Sequence, residues 1–268
     1  MGILLPGFGR ANHFDGGDPL MCKFLSVVVT RDGQIFHHPK ESPIGNQSHT
    51  EIIEHHNLHD SPHRVNIARV EFTPPGDRAK IGDVSEWNLL LDEQREPDWW
   101  VTQKDSVQSR LKEYVDRHVY RAGCHQIQNS WAIGVGTAEL VFQNSHATLW
   151  GSSHATLQEN SQANLWENSQ ATLRGSSHAT LRENSQANLW ENSQATLWGN
   201  SQANLRGSSQ ATLWGSSQAT LWDNSQANRR SNLGSGKVVV ADRAVHIDWT
   251  TGIPTITTGW QTGSEVTR

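Results

Sequence analysis

Residues 144–167 read NSHATLWG SSHATLQE NSQANLWE, and this eight-residue phrase recurs with small changes up to residue 231. Eleven such octads fill residues 144–231. An α-helix turns by about 100° per residue, so a repeat of eight would move each leucine about 80° from the last, and no helix face could bury them all. In a β-strand the side chains alternate with a period of two, and eight is even, so every octad presents the same residues to the same side. The repeat therefore predicts a mainly β protein built around a β-solenoid.

The two sides of such a strand differ in polarity. Ser145, Ala147 and Leu149 share one side, and the His/Gln, Thr/Asn and Trp/Arg positions share the other. Because small and apolar residues are the ones most often buried, we expect the Ser-Ala-Leu side to face inward. The predicted internal ladder consists of Leu149, Leu157, Leu165, Leu173, Leu181, Leu189, Leu197, Leu205, Leu213 and Leu221. Arg229 stands where the next leucine is due, so we expect the stack to end there.

The size of one coil follows from packing. Pairs such as Gly151-Ser152 and Glu159-Asn160 tolerate tight or left-handed backbone, so each octad is one strand plus one corner. Two octads per coil make a thin sandwich that Ser, Ala and Leu can fill, whereas three would enclose a triangle too wide for them. The close match of residues 144–167 with 168–191 indicates a 24-residue unit instead. We expect 16 residues per coil, with 24 as the alternative. Polar low-complexity disorder is the competing interpretation, but it does not explain why Ala and Leu stay in phase.

The outward positions supply the candidate surface-binding residues. Six indoles lie beside corners, and a group of this size exposes more apolar area than a monomer usually does. They form either a contact surface for another copy, a protein or a glycan, or a set of side chains that stack on neighbouring Trp and Arg. The tryptophans are Trp150, Trp166, Trp190, Trp198, Trp214 and Trp222, and the threonines that could order water beside them are Thr148, Thr156, Thr172, Thr180, Thr196, Thr212 and Thr220.

The rest of the chain divides around this array. Residues 1–20 are predicted to be a loose leader, with Met21 as a candidate start, and residues 21–122 a small α+β domain. In that domain, Asp-Gly at 32–33 predicts a hairpin, Ser48 with Glu51 a capping box opening a short helix, and Pro97 a longer helix. The solenoid is expected over 123–231, with its regular part at 144–231. Residues 232–268 are predicted to form a C-terminal cap and tail that hide the last open edge.

Several of these segments carry a resemblance. The sequences MCKFL at 21–25, TRDG at 30–33, Ser48-His49, RVEFTPP at 69–75 and EPDW at 96–99 resemble the N-terminal domain of uncharacterised bacterial and phage proteins in which a Ser-Gln type octapeptide array follows. The octads are also similar in style to the repeats of bacterial ice-nucleation proteins, which implies 16-residue coils and a water-ordering activity. Here the regular Thr-x-Thr pair of those repeats is replaced by Gln/His-x-Thr/Asn-x-Trp/Arg.

Motifs for chemistry are sparse. His55 and His59 are four residues apart on the predicted short helix, which is a spacing that can clamp zinc, but a solvated polar helix face explains the same pattern. Cys22 begins an apolar strand, where cysteine usually packs as a small hydrophobic residue. No phosphate-binding glycine loop or Gly-x-Ser-x-Gly elbow occurs. We therefore expect no catalytic residues, no cofactor and no bound metal, with His55 and His59 as the metal-ligand candidates.

Charge and hydropathy limit the kinds of partner that we expect for this protein. The formal net charge is −5 and the arginines of the array are balanced by acids, which argues against nucleic acid. No run of 18 apolar residues and no signal-peptide pattern is present, so we expect a cytoplasmic protein without a membrane partner. The favoured function is a non-enzymatic scaffold or binding protein whose regular surface meets a repetitive partner or another copy. The alternatives are an ice-binding protein and an enzyme or metal-binding sensor in the N-terminal domain.

Overall fold

A computed structural model describes residues 25–39, 48–60, 65–230, 236–251, 253–259 and 264–266. The predicted leader at 1–20, the candidate start at Met21 and Cys22 lie outside the described residues. Among the residues that are described, no helix is long and apolar enough to cross a membrane.

The N-terminal part is a small α+β region. Its strands form an antiparallel sheet in the order β2-β1-β3-β4. The elements are β1 (Leu25–Thr30), β2 (Ile35–His37), α1 (His49–His55), β3 (Ile67–Thr73), β4 (Asn88–Leu91) and α2 (Trp100–Asp116), with 3₁₀ turns at Arg78–Lys80 and Val84–Glu86 before β4. One layer of core is formed by Val28, Ile52 and Ile67 beneath α1. A second, larger layer lies beneath α2.

The elements predicted for this region are largely confirmed. β1 and β2 pair in antiparallel register across the Asp-Gly turn, and α2 buries Trp100, Val107, Leu111 and Val115 as the helical spacing indicates. Ser48 is the N-cap of α1, but its side chain makes no capping hydrogen bond, so the predicted capping box is wrong.

The solenoid has about eight coils and two parallel sheets that face each other. Each strand pairs with the strand one coil away, and within the octad array paired residues are 16 apart in sequence, as for Leu165 and Leu181. The prediction of 16 residues per coil is therefore confirmed, and 24 is wrong. The strands are β5 (Val119–Tyr120), β6 (Cys124–Gln128), β7 (Trp131–Gly134), β8 (Glu139–Gln143), β9 (His146–Leu149), β10 (His154–Gln158), β11 (Gln162–Leu165), β12 (Gln170–Leu173), β13 (His178–Leu181), β14 (Gln186–Leu189), β15 (Gln194–Leu197), β16 (Gln202–Leu205), β17 (Gln210–Leu213), β18 (Gln218–Leu221), β19 (Gln226–Arg229), β20 (Val238–Val240), β21 (Val245–Asp248), β22 (Thr255–Thr258) and β23 (Ser264–Val266).

The two sheets alternate along the chain. One sheet contains nine strands, namely β6, the even-numbered strands from β8 to β20, and β23 at the far edge. The other contains ten, namely β5, the odd-numbered strands from β7 to β21, and β22 at the far edge. We call their outward sides the nine-stranded face, which carries residues such as Gln186 and Asn188, and the ten-stranded face, which carries residues such as Gln194 and Thr196.

The interior is the predicted Ser-Ala-Leu side. The ten ladder leucines are at most 1% exposed, and the alanines of the octads are at most 6% exposed. The inward serines have a second role at the corners. The hydroxyl of Ser177 donates to the carbonyl oxygen of Arg174 at 2.7 Å, and Ser161 donates to Gln158 in the same way. Serine therefore fits this position because it is small and satisfies a backbone carbonyl where the chain turns.

The corners use left-handed backbone at the eighth residue of the octad. Gly175 and Gly207 have φ values of 67° and 69°, and Glu167 and Glu191 have φ values of 61° although they carry a side chain. Two of the acidic side chains at these corners make hydrogen bonds that offset part of the strain of the left-handed backbone. The Glu191 carboxylate accepts the Gly175 N–H at 2.7 Å, and the Asp223 carboxylate accepts the Gly207 N–H at 3.0 Å.

The parallel stacking continues beyond Arg229, contrary to the expectation that it ends there. β20 pairs with β18 and β21 with β19, both in parallel register. The buried Arg229 guanidinium donates to the Gly236 carbonyl at 2.7 Å, which satisfies it inside the core. β22 and β23 then pair antiparallel with β21 and β20 at the far edges of the two sheets.

The N-terminal region packs against the ten-stranded face of the first coils. Its core is continuous with the outward residues Trp131, Ile133, Trp150 and Trp166. Arg78 also forms an ion pair with Glu183 and lies over the rings of Trp150 and Trp166. The first coils of this face are therefore covered, while the nine-stranded face lies on the opposite side of the solenoid.

Candidate binding surfaces

The nine-stranded face presents two straight outward rows. Backbone pairing in register stacks each residue on its counterpart one coil away, as for Gln186 and Gln202 or Asn188 and Asn204. The first row is Cys124, Glu139, His154, Gln170, Gln186, Gln202, Gln218 and Lys237, and the second is Gln126, Val141, Thr156, Thr172, Asn188, Asn204, Thr220 and Val239. A shallow groove of about 450 Å³ runs between the rows over most of this length. Side-chain amides also bond along a row, since Asn204 donates to Asn188 at 3.1 Å.

The ten-stranded face offers a shorter version of the same surface. Its rows contain Gln162, His178, Gln194 and Gln210 in one line and Asn164, Thr180, Thr196 and Thr212 in the other. The groove between them has a volume of about 280 Å³. The two faces therefore have the same chemistry but different free lengths.

The candidate threonines do not form one continuous row. Thr148 is buried, with 4% exposure, while the other six are half-buried. Thr156, Thr172 and Thr220 lie on the nine-stranded face, where Asn188 and Asn204 separate Thr172 from Thr220. Three others, Thr180, Thr196 and Thr212, are direct neighbours on the ten-stranded face.

The candidate tryptophans of the ten-stranded face are stacked in pairs. The rings of Trp150 and Trp166 are 4.9 Å apart and 6° from parallel, and both residues are buried against the N-terminal region. The rings of Trp198 and Trp214 are 5.0 Å apart with the same 6° angle. The guanidinium of Arg182 lies 4.5 Å from the centre of the Trp166 ring. One face of each of these four indoles is therefore occupied by the ring of its partner, and a second contact, with Arg182, is made by Trp166.

On the nine-stranded face, tryptophan alternates with arginine. Arg206 lies between Trp190 and Trp222, at 5.1 and 5.8 Å from the two ring centres. Both indoles remain 39% exposed. The cation therefore reduces the ring area of each indole that a partner could contact. Stacking on neighbouring Trp and Arg was one of the two interpretations of these residues from the sequence, and the structure shows such contacts.

The candidate metal ligands His55 and His59 are not on one helix turn. Helix α1 ends at His55, so His59 lies beyond it, and both residues are exposed. His59 Nε2 bonds to Asn57 Oδ1 at 2.9 Å, and the His55 ring stacks edge-on against His56. The spacing of four residues therefore does not place His55 and His59 on one face of a helix, because α1 is shorter than the sequence indicates.

A different histidine is placed among carboxylates. In His49, Nε2 is 3.5 Å from a Glu71 oxygen and Nδ1 is 3.4 Å from an Asp92 oxygen, and His49 and Glu71 are both buried. The Ser26 hydroxyl donates to Glu71 at 3.0 Å, and the Val70 carbonyl is 3.2 Å from His49 Nε2. The two carboxylates lie beside different ring nitrogens. A metal ion would need ligand atoms that point to one shared centre, whereas here the carboxylates lie on different sides of the ring. The arrangement is therefore better explained by an imidazole that donates hydrogen bonds to its neighbours.

That cluster was missed by sequence analysis for a simple reason. His49 opens α1, Glu71 lies on β3 and Asp92 follows β4, so only tertiary folding brings them together. No local spacing signal connects these three segments.

A second histidine lies where the N-terminal region meets the solenoid. His37 packs against Tyr114, which also contacts His118, and His118 stacks on Trp131 of the first coil at 4.0 Å. Burial, together with the positive charge of Arg110 and the neighbouring His118 and His56, lowers the pKa of His37 from 6.5 to about 4. His37 is therefore neutral in the folded protein at neutral pH.

Comparisons with known proteins add no family to these observations. No family model matches the chain, and no curated protein or solved structure is significantly similar to it.

Proposed function

We propose that the protein is a non-enzymatic scaffold that binds a repetitive partner through the nine-stranded face. The observation that carries the proposal is the pair of in-register outward rows with a groove between them. On the five coils between β8 and β20, these rows are made of Gln, Thr and Asn with a single histidine, His154. Amide side chains both donate and accept hydrogen bonds, so one row can contact many equivalent groups.

Rigid repetition makes weak contacts useful. The rungs of a parallel sheet are about 4.8 Å apart, so seven coils offer about seven equivalent contact points along a line. Each contact is weak, but the frame is already ordered, so little conformational entropy is lost when several form together. A partner with its own regular spacing, such as a β-sheet face or an extended glycan, gains most from this arrangement.

The tryptophans contribute less to the proposed surface than their number indicates. Trp198, Trp214, Trp190 and Trp222 each have a ring face in contact with Trp or Arg of an adjacent coil, and that face cannot stack on a sugar ring. We therefore assign partner contact mainly to the Gln and Thr/Asn rows. The Trp and Arg side chains then stabilise the edges of the stack.

The proposal is tested by capture with variants of matched position. Gln170→Arg with Gln202→Arg alters the nine-stranded face, and Gln194→Arg with Gln210→Arg alters the other face at equivalent exposed positions. The immobilised chain is challenged with a cell lysate, and the soluble chain with crystalline cellulose and chitin. We expect the wild type and the second variant to retain the same partner and the first variant to lose it. If the wild type captures nothing, or if both variants bind equally, the proposal fails.

Water ordering is the second candidate, and the neighbouring Thr180, Thr196 and Thr212 favour it. Their hydroxyls stand on successive rungs about 4.8 Å apart, which is a regular array of donors and acceptors. The test is the freezing temperature of droplets and the thermal hysteresis of the purified chain, each compared with an inert protein at equal mass. We expect a shift that disappears when all three threonines are changed to valine. No shift in the wild type removes this candidate.

A further inference from the structure

One outward row of the nine-stranded face carries opposite charges near its two ends. Its first residue is Cys124 on β6, the next is Glu139 on β8, and its residue on β20 is Lys237, whose carbonyl oxygen accepts the Ala219 N–H at 3.0 Å. Between them are His154 and four exposed glutamines. The row is therefore negative on the second strand of the sheet, uncharged in the middle apart from the histidine, and positive on β20, next to the edge strand β23.

The second row on the same face has matching ends. After Gln126 on β6 it carries Val141, which is 37% exposed, and on β20 it carries the half-buried Val239. Threonine and asparagine fill the positions between the two valines. The middle strand of the sheet is β14, which carries Gln186 and Asn188, with four strands on either side. The two rows therefore share a common midpoint.

We propose that two copies of the chain pair through the nine-stranded face about a two-fold axis that crosses β14 parallel to the strands. This rotation reverses the order of coils in the second copy but leaves each row opposite the same row. Glu139 then faces Lys237 of the second copy, Val141 faces Val239, and Gln186 faces its own symmetry mate. The inference rests on the proposed function and names its partner as a second copy of this chain.

The middle of the interface permits such pairing because its residues are self-complementary. Glutamine and asparagine amides each carry donors and an acceptor, so identical rows can bond to one another, whereas rows of lysine or glutamate would repel. A two-fold interface requires this kind of self-complementarity. At the rim, Arg174 of one copy approaches Arg206 of the other, but both side chains are exposed and salt screens their repulsion.

The size of the surface sets the expected affinity. Seven rungs about 4.8 Å apart and strands of about 13 Å give a projected area of roughly 400 Å² per copy. A standard stable complex buries about 800 Å² per partner. The pair is therefore a weak dimer whose population rises with concentration.

The first experiment locates the interface. Sedimentation equilibrium of the full-length chain is measured over a wide concentration range for the wild type, Gln186→Arg and Gln194→Arg. Gln186 lies on the proposed axis, while Gln194 is equally exposed on the opposite face. We expect the average mass of the wild type and of Gln194→Arg to rise towards that of a dimer and Gln186→Arg to remain monomeric. Circular dichroism melting establishes that all three are folded.

The second experiment fixes the orientation of the two copies. Glu139 and Lys237 also have contacts within their own chain. Cys124 Sγ donates to Glu139 at 3.0 Å, and Lys237 takes part in an interaction as well. β23 also places Glu265 in register beside Val239. Exchanging the two charges therefore tests the orientation of the copies more directly than removing either charge. Glu139→Lys and Lys237→Glu should each weaken the dimer at least tenfold, and the double variant should restore it.

Three outcomes overturn the inference. They are a wild type that is monomeric at every concentration, a dimer that survives Gln186→Arg, or a double variant no better than either single one. The first of these leaves capture of a different partner to be decided by the experiment on the proposed function, so the two failures are distinguishable.

Discussion

At the level of single residues, the octad assigns one physical task to each position. The inward serine satisfies a corner carbonyl, the alanine keeps the two sheets close, and the leucine fills the space between them. Because every rung repeats these tasks, a change at one inward position tests the whole ladder. The outward neighbour in the same strand provides the control.

Leu181→Asp and Thr180→Asp should therefore differ strongly. Leu181 is fully buried, and a carboxylate there would have no partner in an apolar core, so we expect the free energy of unfolding to fall by at least about 3 kcal/mol. Thr180 is half-buried on the outward side, where water can reach a carboxylate, so we expect a loss below about 1 kcal/mol. Urea unfolding followed by circular dichroism measures both. Equal losses would contradict the inside and outside assignment.

The corner acids give a second prediction at this scale. Glu167 and Glu191 share the same left-handed backbone, which costs a residue with a side chain about 1 kcal/mol or more. Glu191 recovers some of this cost by accepting the Gly175 N–H. We expect Glu167→Gly to raise the free energy of unfolding by about 1 kcal/mol and Glu191→Gly to leave it nearly unchanged. Urea midpoints of the two variants test this contrast, and similar stabilisation by both would show that the Glu191 bond contributes nothing.

At the level of elements, the junction between α2 and the first coil should make the protein sensitive to acid. The pKa of His37 is lowered to about 4 in the folded state, while an unfolded chain has a histidine pKa near 6.5. Between these values the unfolded state binds the additional proton. Stability should therefore be unaffected by His37 above pH 6.5 and fall as the pH decreases towards 4, by at most about 3 kcal/mol.

His37→Gln isolates this contribution. Burial also lowers the pKa of His246 and of His146, so the wild type alone cannot assign the effect. We expect the variant to lose less stability than the wild type between pH 6.5 and 4 and to match its slope above pH 7. Thermal melting at a series of pH values measures the difference, and parallel curves throughout would contradict the role of His37.

The sequence predicted some elements well because their signal is local. The octad period fixes which residues face inward, and the volume of Ser, Ala and Leu decides between two and three strands per coil. The prediction that the stack ends at Arg229 is wrong, because this residue only interrupts a ladder that Val238 and Val240 continue with buried side chains. Whether a segment joins the stack therefore depends on the alternation of inward and outward residues, and not on an exact copy of the octad.

Other features could not be predicted because they depend on segments far apart in sequence. The cluster of His49, Glu71 and Asp92 joins three elements. The burial of Trp150 and Trp166 depends on where the N-terminal region packs, and nothing within the octads distinguishes these two from Trp198 and Trp214. Period and composition describe one rung and its neighbours, but they do not reveal what covers a rung from outside.

At the level of the whole molecule, the two faces of the solenoid have different roles. The ten-stranded face holds the N-terminal region on its first coils, through apolar contacts and the Arg78–Glu183 ion pair. The nine-stranded face presents its rows on the opposite side of the stack. The covered face thus joins the two parts of the chain, and the other remains for the proposed partner.

The stacked tryptophan pairs allow this division to be tested with one kind of substitution. Trp166 is 7% exposed and lies between Trp150 and Arg182 beneath Arg78, so Trp166→Thr should cost about 3 kcal/mol or more and loosen the N-terminal region. Trp214 is stacked on its neighbour Trp198 and is half-buried, so Trp214→Thr should cost about 1 kcal/mol. Thermal melting gives the stabilities, and limited proteolysis shows whether residues 48–116 become accessible to cleavage. If the two variants melt alike and are cleaved alike, the N-terminal region is not anchored by the first tryptophan pair.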